Sequence, residues 1–191
     1  RIVIDLKKEA NPQVVLNQLF SYTQLQDTVG VIMLALHNGQ PKVMTLKETL
    51  QHYIEFQVEV IRRRTEFDLK KARDREHILE GLKIAQDNID EVIKIIRSSR
   101  DNNESRPRLM ERFGLTEVQA NAILAMRLGQ LSALDREKLE QELADILEKI
   151  REYEAILGDV NLVYGIIKEE INIIKAKYSD ERRTEIQTIS G

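Results

Sequence analysis

Residues 139–157 read LEQELADILEKIREYEAIL, and the spacing of their apolar positions decides the fold. Leu139, Leu143, Ile146, Ile150, Tyr153 and Leu157 follow in alternating steps of four and three. That is the seam of a helix lying along a partner helix. Gly158-Asp159 interrupts it, the glycine ending one piece and the aspartate capping the next. The seam resumes as Val160, Val163, Ile167, Ile171, Ile174 and Tyr178, which gives a returning coiled-coil helix over 135–178.

Its partner lies upstream. Thr45-Leu46-Lys47-Glu48 has the form of a capping box, in which the hydroxyl and the carboxylate each satisfy an orphan backbone N–H. No proline or obvious stop follows before Ser98-Ser99, so an outgoing helix is expected over 46–98, about 80 Å long. Its stripe is clear at both ends: Leu46, Leu50 and Tyr53, then Ile78, Leu82, Ala85, Ile89, Val92 and Ile96. Gly81 sits inside that stripe at a cost of about 1 kcal/mol against Ala. A close approach by another element, a bend and a merely tolerated glycine are all open there. A short middle segment forces the second helix back along the first, so the pair is read as antiparallel.

That middle segment, 99–134, is read as a small helical knob at the hairpin tip. Arg106-Pro107 starts a short helix that ends at Phe113-Gly114. Thr116-Glu117-Val118-Gln119 is a second capping box, opening a helix through Leu128 that Gly129 closes. Val118, Ala120, Ala122, Ile123, Leu124, Ala125, Met126 and Leu128 wrap most of its circumference, whereas one stripe would suffice to pack it on the hairpin. Burial by Leu109, Met110, Phe113, Leu115 and Leu131 is one explanation. A symmetric contact with a second copy is the other, and it is favoured because the knob is small.

At the base, 1–45 is read as a small α/β unit. It comprises a strand over Ile2–Leu6, a helix opening at Asn11-Pro12 with Val15, Leu16, Leu19 and Phe20, and strands at Val31–Leu36 and Lys42–Thr45. His37-Asn38-Gly39 supplies the turn between the last two, since Asn-Gly accepts positive φ. The fold class expected is therefore mainly α: a long antiparallel coiled-coil hairpin with a dimerisation knob at its tip and an α/β unit at its base. Residues 179–191 form a tail. The chain opens inside a strand pattern with no Met before it, so it reads as a piece of something larger.

Composition narrows the function. Of 191 residues, 32% are charged and 5% aromatic, which suits exposed helices better than a thick core. The net charge of −3 gives no global attraction to nucleic acid. With no Cys there is neither disulfide nor thiolate ligation, in keeping with a reducing compartment. The longest apolar run, Val29–Leu36, is far short of the roughly 20 residues a membrane span needs, and no signal peptide is expected. His37, His52 and His77 lie apart without metal-ligand spacing, no phosphate-cradling loop or nucleophile–base set is present, and no catalytic or metal-binding residue is expected. One local feature stands out. Residues 62–77 hold seven basic and four acidic side chains. Arg62, Arg63, Arg64, Lys70, Lys71, Arg73 and Arg75 read first as a solvated coiled-coil face, and second as a surface for a passing phosphate backbone.

Several stretches carry a family likeness: YTQLQ at 22–26, VIRRRTEF at 60–67, HILEGL at 77–82, RFGLTE at 112–117, QA at 119–120, AIL at 122–124 and DERRT at 180–184. Over essentially its whole length the chain resembles the coiled-coil and exit-gate region of the A subunits of bacterial type IIA topoisomerases, DNA gyrase and topoisomerase IV. Leu46-Lys47-Glu48 and Met126-Arg127-Leu128 incline the resemblance toward gyrase. Gly129-Gln130 departs from it, because the gyrase pattern usually places one or two basic residues there.

The resemblance implies a mechanical part. In the family, two A subunits cleave one duplex with tyrosines upstream of this region and pass a second duplex through the break. That duplex leaves through a gate where the coiled-coil tips meet. Ala120, Ile123, Leu124, Met126 and Arg127 would form the gate contact, and Arg62, Arg63, Arg64, Lys70, Lys71 and Arg73 would face or flank the DNA cavity. None of Tyr22, Tyr53, Tyr153, Tyr164 and Tyr178 sits in the family's cleavage motif. ATP and Mg would be used on the other subunit, so no cofactor is expected here. Partners would be a second copy, a passing DNA duplex and the gyrase B subunit, in the cytoplasm and away from membranes. The DNA-wrapping domain would begin beyond Gly191. The alternatives are the corresponding topoisomerase IV segment and a non-enzymatic coiled-coil scaffold.

Overall fold

A computed structural model describes residues 2–188; Arg1 and the last three positions of the expected tail lie outside the described residues. The described chain is mainly α-helical. Seven α-helices and one short 3-10 turn accompany a two-stranded antiparallel sheet. Two compact units divide at residues 52 and 53, inside a helix rather than at its start.

In the first unit, Asn11 caps helix α1 (Pro12–Tyr22) by accepting from the Gln13 backbone N–H, with proline at the first helical position as expected. Strands β1 (Leu34–His37) and β2 (Gln40–Val43) pair with Leu34 opposite Val43 and His37 opposite Gln40. Asn38 and Gly39 both take positive φ, 50° and 76°, as the two-residue hairpin turn requires. The strands lie closer to this turn than the sequence pattern suggested, and Ile2–Leu6 is not a strand. It has no ladder partner, and its apolar side chains stay exposed. Helix α2 (Leu46–Asp87) opens with the expected capping box: Thr45 N–H donates to Glu48 Oε2 at 2.8 Å, and Glu48 N–H donates to Thr45 Oγ1 at 3.2 Å. His37 and His52, which the sequence reading kept apart, stack with centroids 3.7 Å apart.

In the second unit, α2 from Tyr53 onward runs against α6 (Ala133–Gly158) and α7 (Val160–Tyr178). Ile61 packs with Val163 and Ile167 in one buried cluster. Arg64 pairs with Glu170, Arg73 with Glu154, Arg75 with Glu142, and Asp87 with Arg136. Partner numbers fall as α2 numbers rise, so the helices are antiparallel. Gly158 and Asp159 divide α6 from α7 as expected, with the Asp159 carboxylate accepting from the Asn161 N–H. Beyond Ile167 the seam is uncovered: Ile171, Ile174 and Tyr178 are exposed.

Three boundaries correct the sequence reading. The outgoing helix does not run unbroken to Ser98; it stops at Asp87, and α3 (Ile89–Ser98) begins after Asn88. The Asn88 side-chain amide donates to the Ile84 carbonyl at 2.9 Å, offering the backbone an alternative partner to the next helical turn. Helix α4 (Asn102–Phe113) does not wait for Arg106 to start, because Asp101 caps it by accepting from Glu104 N–H; Pro107 lies inside. Gly114, at φ 65°, closes it as expected. Helix α5 spans Glu117–Leu124 rather than reaching Leu128. The Met126 N–H turns back to the Ile123 carbonyl, and Leu128–Leu131 forms the 3-10 turn, so Gly129 is not a helix cap.

Candidate functional site

The tip module is built on a compact core. Ala85 from α2, Val92 from α3, Leu109 from α4, Leu115 from the turn after it and Ile123 from α5 are buried together, with Leu82, Ile95, Phe113 and Leu124 packed around them. Leu109 and Ala85 are wholly inaccessible. Each helix brings one face because each is started and stopped by its own sequence. Thr116 and Gln119 complete the capping box that opens α5, with Thr116 N–H donating to Gln119 Oε1 at 3.0 Å.

Gln119 has a second task. Its amide Nε2 donates to the backbone carbonyl of His77 on α2 at 2.7 Å, and the His77 ring lies 2.6 Å from Thr116 Oγ1. Gly81 makes this possible. A Cβ there would lie 2.7 Å from both Cβ and Cγ of Gln119, closer than such atoms approach. Of the readings left open at Gly81, close approach is the one observed: α2 continues through it without a break, and the space a side chain would need is filled by Gln119. A carbonyl within the helix thus gains a further donor, and α5 is keyed to α2 at one spot.

This module changes the list of candidate gate residues. Ala120 is fully buried and Ile123 nearly so, inside their own chain; neither is free for a partner. Ile123 packs with Ala85 of α2, Val92 of α3 and Leu109 of α4. Leu124 and Met126 are half-buried, and Arg127 is exposed. Apolar side chains that do reach outward include Val118, Leu128 and Leu134, at 56%, 85% and 61% exposure, and, less so, Ile93. Leu128 leaves the helix altogether. The 3-10 turn holding it is fixed by Arg127 N–H donating to Gln130 Oε1 and by Gln86 Nε2 donating to the Gln130 carbonyl. The sequence reading placed Leu128 on α5; the signal it lacked was Gln130, three residues after Arg127, folding back to cap a new turn.

A groove of about 360 Å³ lies between α2, α5 and α6, and Ile78, Leu82, Ala122, Ala125, Met126 and Leu139 are among its lining residues. Its charged lining is paired, Arg75 with Glu142 and Lys138 with Asp135.

The basic stretch is largely spoken for. Arg64 and Arg73 reach across the hairpin to Glu170 and Glu154, Arg63 pairs with Glu59, and Lys70 pairs with Asp74. Arg62 is half-buried and Lys71 exposed. Arg75 holds Glu142 in a two-point contact that raises the guanidinium pKa above its ordinary value. Three of the seven basic residues tie α2 to α6 or α7, and two pair within α2 itself. No described helix is long and apolar enough to cross a membrane.

With this geometry in view, the likeness to known proteins is specific. The family model for the A subunit of DNA gyrase and topoisomerase IV matches residues 1–172. The DNA gyrase A subunit of Clostridium acetobutylicum is 56% identical over 187 residues, 98% of this chain and 22% of that protein. Those of Staphylococcus epidermidis and Campylobacter jejuni are 54% and 51% identical, again over 98% of this chain. The chain spans about a fifth of the length of these relatives, 21% to 22%.

Proposed function

Because the chain belongs to the family of DNA gyrase and topoisomerase IV A subunits, we propose that it is the exit-gate segment of a gyrase-type A subunit. Its tip joins two copies, and its arm carries that junction away from the cleavage centre. A transported DNA duplex leaves when the tips part, during ATP-dependent supercoiling by the whole cytoplasmic enzyme. The cleavage tyrosine lies on another part of the protein, and ATP and Mg act on the B subunit.

One observation carries this reading. A rigid, internally complete module presents Val118, Leu128 and Leu134 to solvent rather than folding them into its own core. A gate must stay shut against accidental strand separation yet reopen, and a modest apolar contact on a stiff support meets both demands. The basic residues left facing outward, Lys71 among them, would flank the passing duplex without reading bases. The high identity to proteins named as gyrase A subunits favours gyrase over topoisomerase IV.

Sedimentation equilibrium tests the gate. The wild-type chain should dimerise, and Leu128→Glu should shift it toward monomer with an unchanged circular dichroism melt. An Ile123→Glu substitution is unsuitable, because it would bury a charge in the tip core. A wild type that stays monomeric at high concentration would sink the proposal for this chain.

A further inference from the structure

Where α5 meets α2, a hydrogen-bond network selects the protonation state of one histidine. Its anchor is the Gln119 amide, on a buried residue. Gln119 Oε1 accepts from the Thr116 backbone N–H at 3.0 Å, and Nε2 donates to the His77 carbonyl at 2.7 Å. Turning the amide over would set oxygen against the carbonyl oxygen and nitrogen against the N–H, so its orientation is settled. The second Nε2 hydrogen is left for the His77 ring, whose Nδ1 lies 3.4 Å away. A ring nitrogen facing an N–H donor has to offer a lone pair. The ring proton therefore sits on Nε2, 2.6 Å from Thr116 Oγ1, and the imidazole is neutral. Thr116 Oγ1 accepts it together with the Gln119 backbone N–H at 3.4 Å. The hydroxyl's own hydrogen can turn to solvent, because Thr116 is exposed.

We infer that neutral His77 is a latch holding α5 to the arm, and that protonating it loosens the helix. A second ring hydrogen, on Nδ1, would point at the Gln119 NH2 group, donor against donor. The imidazolium has to swing away, and in leaving it gives up Thr116. Of this set, only the bond to the His77 backbone carbonyl then joins α5 to α2. The charged groups nearby leave room for the swing. On α2, Arg73 and Asp74 lie a turn before His77 and are paired with Glu154 and Lys70, while Arg75 is held by Glu142 of α6. Glu76 and Glu80 flank the histidine on α2, and Glu117 is the one charged residue of α5. Glu80 and Glu117 are both exposed, and Glu80 is one turn from the histidine, so a swung-out cation finds a carboxylate on its own helix face. The latch follows from this network whether or not two tips meet. On the gate reading above, acid would soften the support from which the gate contact projects.

NMR of the His77 ring nitrogens tests the tautomer directly, and should show the hydrogen on Nε2 at about pH 8. Hydrogen exchange, corrected for the intrinsic effect of pH, then follows α5 against α7 between about pH 8 and about pH 5. Protection of α5 should fall by about fivefold or more while that of α7 holds. His77→Gln can still donate to Thr116 but takes up no proton, so α5 should stay protected across the range. His77→Phe offers no side-chain hydrogen bond and should leave α5 less protected at both ends. A neutral ring with its hydrogen on Nδ1 would overturn the inference. So would exchange in α5 that ignores pH, or that changes equally in the wild type and His77→Gln.

Discussion

The arm and the tip of the second unit are stabilised in opposite ways. The arm, α2 against α6 and α7, buries a line of side chains, Ile61, Leu69, Leu79, Leu139, Ile150, Val163 and Ile167, and spaces Arg–Glu pairs between them. The tip encloses Leu109, Val92 and Ala85 from all sides and caps its helices α4 and α5 with side chains of their own. A two-helix seam can lose one contact and relax locally, because solvent already reaches each side of it. A closed core cannot. Rigidity therefore sits where the proposed partner docks, and tolerance sits along the lever.

The strongest test of that contrast is Leu109→Ala against Ile61→Ala, two wholly or almost wholly buried positions. The tip variant should lose about 3–5 kcal/mol and the arm variant about 2, by urea denaturation. If the arm variant lost more, the contrast would fail. Next comes Gly81→Ala, which drives a methyl into Gln119. Destabilisation of about 1–3 kcal/mol is expected, with hydrogen exchange accelerating first in α5. Equal acceleration along α7 would show that the key between α5 and α2 is not a local one. Removing a rung by Arg64→Ala should cost only about 0.5 kcal/mol, and less as salt is raised.

The smallest expected effect concerns the first unit. Hydrogen bonds from the Thr45 backbone and hydroxyl hold the Glu48 carboxyl below its ordinary pKa. A depressed folded-state pKa stabilises the fold above the unfolded value, and that contribution fades as pH falls through the folded one. On acidification below the usual carboxylate range, the Thr45 amide should lose exchange protection before the α2 interior does. Glu48→Gln should flatten that dependence.

Much of this was legible in the sequence because caps are local. Asn11, Thr45, Thr116, Gly114 and Asp159 each start or stop a helix through contacts within a few residues. The break at Asn88 was hidden because Ala85, Ile89 and Val92 keep the apolar phase across it. The true start of α4 was hidden because Pro107 resembles a first-turn proline, whereas the capping came from Asp101. At the site, the excess of apolar residues around 117–128 was visible, but its division was not. Which of them turn inward depends on α3 and α4, and their packing leaves no trace in the spacing of α5 itself. Leu128 was counted with a helix it does not join.

The cross-hairpin pairs have a consequence for motion. Displace the returning helix by four residues in either direction and each arginine loses its acid. Arg64 would meet Ile166 or Ile174, Arg73 would meet Ile150 or Gly158, and Arg75 would meet Lys138 or Ile146 in place of Glu170, Glu154 and Glu142. The two helices are thus indexed to one alignment, like the teeth of a key. A pull that slid one helix along the other by a turn would break these pairs together, at about 0.2–1 kcal/mol each.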